Sequence, residues 1–247
     1  MIISHKHKYI FIGLPFSASS AINKELIAQY DGEPLLAKHS NIPLVRKVFP
    51  DLELSDYYIF AVVRDPLDMC FSVYNKFVTN AYDVFTDPKY FVENGGHVDI
   101  RAREKYKVIN EEGLNFQEFL QRYYANIPYD NFLSLNTNEL NGIIFFDQLN
   151  TGFLQCLREI GLTPKRDLPI HNQTSKKIQN YTLESNFEQR LFFPFKYYNR
   201  KWFGQKIELK WFFNYLSFRI VNFYRHKKWI TRDYKYYINR ANKSMVD

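Results

Sequence analysis

Cysteine is scarce in this chain, with Cys70 and Cys156 the two present among 247 residues. One pair cannot build a disulfide framework, and neither stands at a metal-type spacing from a histidine. A reducing compartment and a site without metal are the expectations. No apolar run reaches the roughly 18 residues that a membrane-spanning helix needs. No export signal is expected at the start, where Met1 leads through His5, Lys6, His7 and Lys8 directly into KYIFIG. The expected location is therefore cytoplasmic, and the sequon at Asn172-Gln-Thr174 carries no meaning there. Zinc-finger, helix-turn-helix and RNP-type signatures are missing too, so nucleic acid is not an expected partner despite the net charge of +7.

What is present is enough apolar material for a full core. With 46% hydrophobic residues over 29.7 kDa, the chain is expected to form one α/β domain over 1–204, followed by an extension over 205–247. The charge is uneven. From Lys196 onward there are thirteen Lys and Arg against three Asp and Glu, which leaves the rest of the chain at about −3. The stretch KWFGQKIELKWFFNYLSFRIVNFYRHKKW interleaves these cations with aromatics and sets Trp211, Tyr215, Phe218 and Asn222 on one helical side. A helix of this kind packs on its domain, lies on an anionic membrane surface, or grips a polyanion. All three remain open at this point.

Strand and helix signals alternate along the chain. Tyr9 to Gly13, Tyr57 to Val63 and Gly142 to Phe146 read as buried strands. Ser19 to Tyr30, Pro43 to Phe49, Pro66 to Ala81, Phe116 to Tyr124 and Leu149 to Ile160 read as helices. The alternation predicts a mainly parallel sheet flanked by helices. Tyr82 to Glu112, with Gly95-Gly96-His97 in its middle, reads as a long excursion over the functional edge of that sheet.

In an open parallel sheet, ligands bind beyond the carboxyl ends of the strands. After the first strand comes LPFSASSA, a turn that opens a helix with backbone N–H groups and the hydroxyls of Ser17, Ser19 and Ser20. After the second comes Arg64-Asp65-Pro66, a cation at the strand end, with Ser72 two turns into the following helix. A guanidinium and a hydroxyl suit a phosphate. Yet the loop has Phe16 where a phosphate loop carries lysine.

Taken together, GLPFSASSAI, FAVVRDPLDMCFSVY, IIFFDQL and IHNQTSKK resemble, in order and spacing, the sulfotransferases that use 3′-phosphoadenosine 5′-phosphosulfate, particularly the carbohydrate type. The resemblance covers roughly Lys8 to Gly204 and implies a P-loop-like, three-layer fold. It implies that Pro15, Phe16, Ser17, Ala18, Ser19 and Ser20 hold the 5′-phosphosulfate, that Arg64 and Ser72 bind the 3′-phosphate, and that Asn172, Thr174, Lys176 and Lys177 close over the nucleotide. The implied acceptor is a hydroxyl of a sugar or glycan.

Sulfuryl transfer needs in-line positioning, a base for the hydroxyl proton and positive charge at the leaving oxygen. His39, in LLAKHSNIP, is the candidate base, because imidazole titrates in the useful range. Lys38, Asp68 and His97 are weaker candidates. For the charge that Phe16 does not bring, three explanations compete. Lys38, Lys176 or a cation of the tail substitutes; the protein binds the nucleotide without transferring sulfate; or the cavity takes another anion with Phe16 stacked on a ring. A nucleoside kinase of the P-loop type is a further alternative, weakened by Ala18-Ser19-Ser20 where a Walker loop needs Gly-Lys-Ser/Thr. A non-catalytic binding module, working through the basic tail, is the third.

Overall fold

A computed structural model of the protein describes residues 1–64, 66–124 and 139–169. The expectations for Asn172, Thr174, Lys176, Lys177 and the 205–247 extension lie outside these residues. The described residues fall into two compact units, 1–64 with 139–169 and 66–124.

The first unit is an α/β layer structure on a five-stranded mixed sheet. Its strands are β1 (Ile2–Ser4), β2 (Tyr9–Ile12), β3 (Glu33–Pro34), β4 (Tyr58–Val63) and β5 (Gly142–Phe145), in the order β3-β1-β2-β4-β5. β2, β4 and β5 pair in parallel, whereas β1 pairs antiparallel with both neighbours. Four of the five strands therefore run the same way. Registers such as Ile10 with Ile59 and Ala61 with Ile143 align the carboxyl ends of β2, β4 and β5 along one edge.

Burial on both faces explains why β2 and β4 read as unbroken apolar runs. Tyr9, Phe11, Phe60, Val62 and Ile144 meet Ile22 and Leu26 of helix α1 (Ser19–Gln29) and Phe153 and Leu157 of helix α6 (Leu149–Glu159). Residues of opposite parity, among them Ile10, Ile12, Ile59 and Ala61, are buried as well. Arg166 adds a tether, gripping the buried Glu25 of α1 with two hydrogen bonds of 3.0 and 2.8 Å.

Two elements depart from the sequence reading. The start of the chain, read as a polar lead, holds β1, and His5 to Lys8 form the hairpin turn into β2 with Lys8 left-handed at φ 54°. β3 is a two-residue edge strand carrying Pro34, a position where proline's missing N–H does no harm. The short helix α2 (Ile42–Val48) forms where expected, because Asn41 caps it by accepting from Leu44 N at 3.0 Å.

The second unit holds α3 (Pro66–Thr79), α4 (Ile100–Glu111) and α5 (Phe116–Tyr124) around Met69, Cys70, Tyr74, Phe77, Phe119 and Leu120. The stretch Tyr82 to Glu112, read as a long excursion, contains the helix α4. Asp99 accepts from Ala102 N at 2.8 Å and starts α4. The helix shows no broad apolar stripe in the sequence because it is polar over most of its surface, with Ile109 fully buried. Both cysteines are buried and free, and burial pushes the Cys156 thiol up to about 12.

Candidate functional site

The carboxyl edge of the first unit's sheet gathers three chain segments. The first is the turn between β2 and α1. Phe16 and Ala18 are left-handed, at φ 59° and 55°, while Ser17 and Ser19 are not. Alternation of this kind turns successive backbone N–H groups toward one side and makes a concave anion seat at the start of a helix. The conformation costs a residue with a Cβ about 1–2 kcal/mol, and this chain places alanine and phenylalanine there rather than glycine. Ala18 makes no side-chain cap, and no acidic residue occupies the first turn of α1.

The serines of the loop divide their work. Ser17 is buried and its hydroxyl donates to the Leu14 carbonyl at 2.7 Å, so it shapes the loop. Ser19 is buried, with its Cβ close to Gly13. Ser20 is half-buried and accepts from Lys38 Nζ at 2.6 Å. Phe16 is 41% exposed, an apolar ring held outward by a strained backbone.

The second segment, Leu35 to Asn41, is braced from several sides. The Met1 nitrogen donates to the carbonyls of Ala37 and Lys38 at 3.0 and 2.8 Å, and Leu35 N donates to the Met1 carbonyl at 3.1 Å. Gly13 permits the approach, since a Cβ there would lie 3.0 Å from the Lys38 carbonyl oxygen. His39 crosses to the loop, its Nδ1 standing 2.6 Å from the Gly13 carbonyl. A carbonyl only accepts, so Nδ1 carries the proton and Nε2 keeps its lone pair. Burial holds the His39 pKa below the ordinary imidazole value, outweighing the bond to Gly13, with Lys38 adding to the effect. The Lys38 ammonium, exposed on its outer side, is also held below the usual lysine range by partial withdrawal from water and by Lys24.

Arg64, the third contributor, stands at the end of β4. Its guanidinium donates to the Phe16 carbonyl at 2.9 Å and lies over the Phe146 ring at 4.2 Å. Phe146 follows β5 in a short 3-10 turn, Phe146–Gln148, in which Asp147 is exposed. The ring on one side and the carbonyl at its edge fix the plane of the guanidinium.

The structure thus brings together Phe16, Ala18, Ser19, Ser20, His39 and Arg64. Ser72 lies on α3 in the second unit, half-buried, and Lys176 is outside the described residues. Sequence reasoning missed Phe146 as the ring beneath Arg64, and it missed Lys24. The i, i+4 spacing of Ser20 and Lys24 on α1 was the available signal. Among the described residues no group of three His, Cys, Asp or Glu is placed to hold a metal ion, and no helix is long and apolar enough to cross a membrane.

The chain matches no family model, no curated protein and no solved structure.

Proposed function

We propose that this protein is a sulfotransferase that takes the sulfuryl group of 3′-phosphoadenosine 5′-phosphosulfate and places it on a hydroxyl of a sugar or glycan. One observation carries the reading: a loop of alternating left-handed residues opens α1, and His39 and Arg64 reach that same loop from two distant segments. The proposed fold is correspondingly P-loop-like and three-layered, with the basic aromatic extension as an addition.

In the proposed reaction the acceptor oxygen attacks sulfur and the bond between sulfur and the bridging phosphate oxygen breaks. The electron pair of that bond leaves with 3′-phosphoadenosine 5′-phosphate, and the hydroxyl proton passes to His39 Nε2. The hydrogen bond to Gly13 holds the imidazole in the accepting tautomer, and its lowered pKa keeps it neutral near pH 7. Loop N–H groups from 16 to 20 receive the phosphosulfate. Arg64 is assigned to the 3′-phosphate.

The test is calorimetric titration of 3′-phosphoadenosine 5′-phosphate into the protein and into Arg64→Ala. Binding that Arg64→Ala loses is the expected result, whereas a wild type that does not bind the nucleotide overturns the reading. The exposed Phe16 favours one alternative, a nucleotide- or polyanion-binding relative that no longer transfers sulfate. Binding without transfer of labelled sulfate to any of a panel of glycans would select it. For 205–247 we assign reversible attachment to anionic membrane, from its cations and aromatic arc. Equal flotation with anionic liposomes of the full chain and of a chain ending at Gly204 would refute that assignment.

A further inference from the structure

The charge that position 16 does not supply has a counterpart in space. Ser20 stands in the first turn of α1, Lys24 follows it by four residues, and Lys38 reaches Ser20 Oγ from the neighbouring segment at 2.6 Å. Partial desolvation holds the Lys38 pKa down, and the charge of Lys24 adds to the effect. In the same unit Lys6 pairs with Asp31, Arg46 with Glu139 and Arg166 with Glu25. Neither Lys24 nor Lys38 has a carboxylate within ion-pair distance among the described residues. An ammonium without a counter-ion among the described residues, beside a hydroxyl that accepts from it and keeps its own proton to donate, is complementary to an oxyanion, and the charge of Lys24 adds to that field.

We infer that Lys38, with Lys24 and Ser20, neutralises the leaving phosphate, supplying from the 35–41 segment the cation that a lysine at position 16 would supply. Lys38 is then a catalytic residue. As the sulfur–oxygen bond breaks, its ammonium hydrogen-bonds the bridging oxygen that receives the electron pair, and the ammonium proton stays on lysine. Lys24 has no hydrogen bond to the loop and acts through its charge. The inference rests on the proposed nucleotide cleft. Its ligand chemistry is shared with inorganic pyrophosphate, which tests the oxyanion site apart from the nucleotide.

The experiment is calorimetric titration of 3′-phosphoadenosine 5′-phosphate and, separately, of pyrophosphate. Each is titrated into wild type, Lys38→Met, Lys38→Arg, Lys24→Met and the double variant Phe16→Lys/Lys38→Met, with thermal melts to establish folding. Lys38→Met is expected to weaken both ligands by about tenfold or more, the scale of one lost charge-assisted hydrogen bond. Lys24→Met should weaken them less, Lys38→Arg should keep part of the affinity, and Phe16→Lys should restore binding to Lys38→Met. Unchanged affinity in a folded Lys38→Met overturns the inference, and so does a double variant without rescue. If wild type takes pyrophosphate but not the nucleotide, and Lys38→Met loses the pyrophosphate, the oxyanion site stands while the sulfotransferase reading falls. If wild type takes neither, both fall.

Discussion

The guanidinium of Arg64 donates to the carbonyl oxygen of Phe16 across 2.9 Å, joining the end of β4 to the loop after β2. The cation proposed for a phosphate and the backbone proposed for a phosphosulfate are therefore one mechanical unit. Arg64→Lys keeps the charge but loses the planar fork and its stacking on Phe146. It is expected to raise hydrogen exchange at the amides of 16–20 as well as to weaken nucleotide binding by about tenfold. Amide exchange at that loop indistinguishable from wild type would show that the contact holds nothing in place.

The left-handed backbone at Ala18 carries a strain of about 1–2 kcal/mol that glycine would not feel. Glycine returns roughly 0.5–1 kcal/mol of that through the freedom of the unfolded chain. Ala18→Gly is therefore expected to stabilise the protein slightly, by roughly 0.5 kcal/mol, with Tm rising by about 1–2 °C for a chain of this size. Thermal melts check this, and a lower Tm would mean that the alanine methyl makes a favourable contact.

Gly13 owes its place to closeness rather than to an unusual φ. An added Cβ would lie 3.0 Å from the Lys38 carbonyl oxygen and 3.1 Å from Ser19 Cβ. Gly13→Ala must push the 35–41 segment away, at a cost of about 1–3 kcal/mol typical of overpacking, and carry His39 and Lys38 off the loop. Denaturant melts and nucleotide titration should both register the change.

His39 sets a pH dependence whose sign follows from its lowered pKa. As pH falls below about 6.5, the unfolded chain takes up a proton that the folded one resists. Stability is then full above that value and declines with acidification down to the depressed folded pKa. The same neutral form is needed for proton abstraction, so sulfate transfer should persist to lower pH than an ordinary imidazole would permit. Nitrogen-15 NMR should show the proton on Nδ1 at neutral pH; a proton on Nε2 would remove His39 as the base.

Much of the framework was readable from local pattern. YYIFAVV and GIIFF announce β4 and β5 because strands covered on both faces are apolar throughout. α1, α3, α5 and α6 appeared within a residue or two of the expected bounds, since their apolar periodicity meets turn residues at each end. β1, β3 and α4 did not, being short or largely polar, so that the pairing of β1 with β2 and β3 and the Asp99 cap declare them.

By itself the sequence determined the α/β alternation and the places of the turn after β2 and of Arg64 at the end of β4, because these depend on residues adjacent in the chain. Tertiary structure alone decided what meets at the sheet's edge: Lys38 with Ser20, His39 with Gly13, and Arg64 with Phe16, across 18, 26 and 48 residues. Contacts so distant leave no period in the sequence. They arise only when parallel pairing of β2 with β4 and the bracing of the 35–41 segment by Met1 bring the segments to one edge.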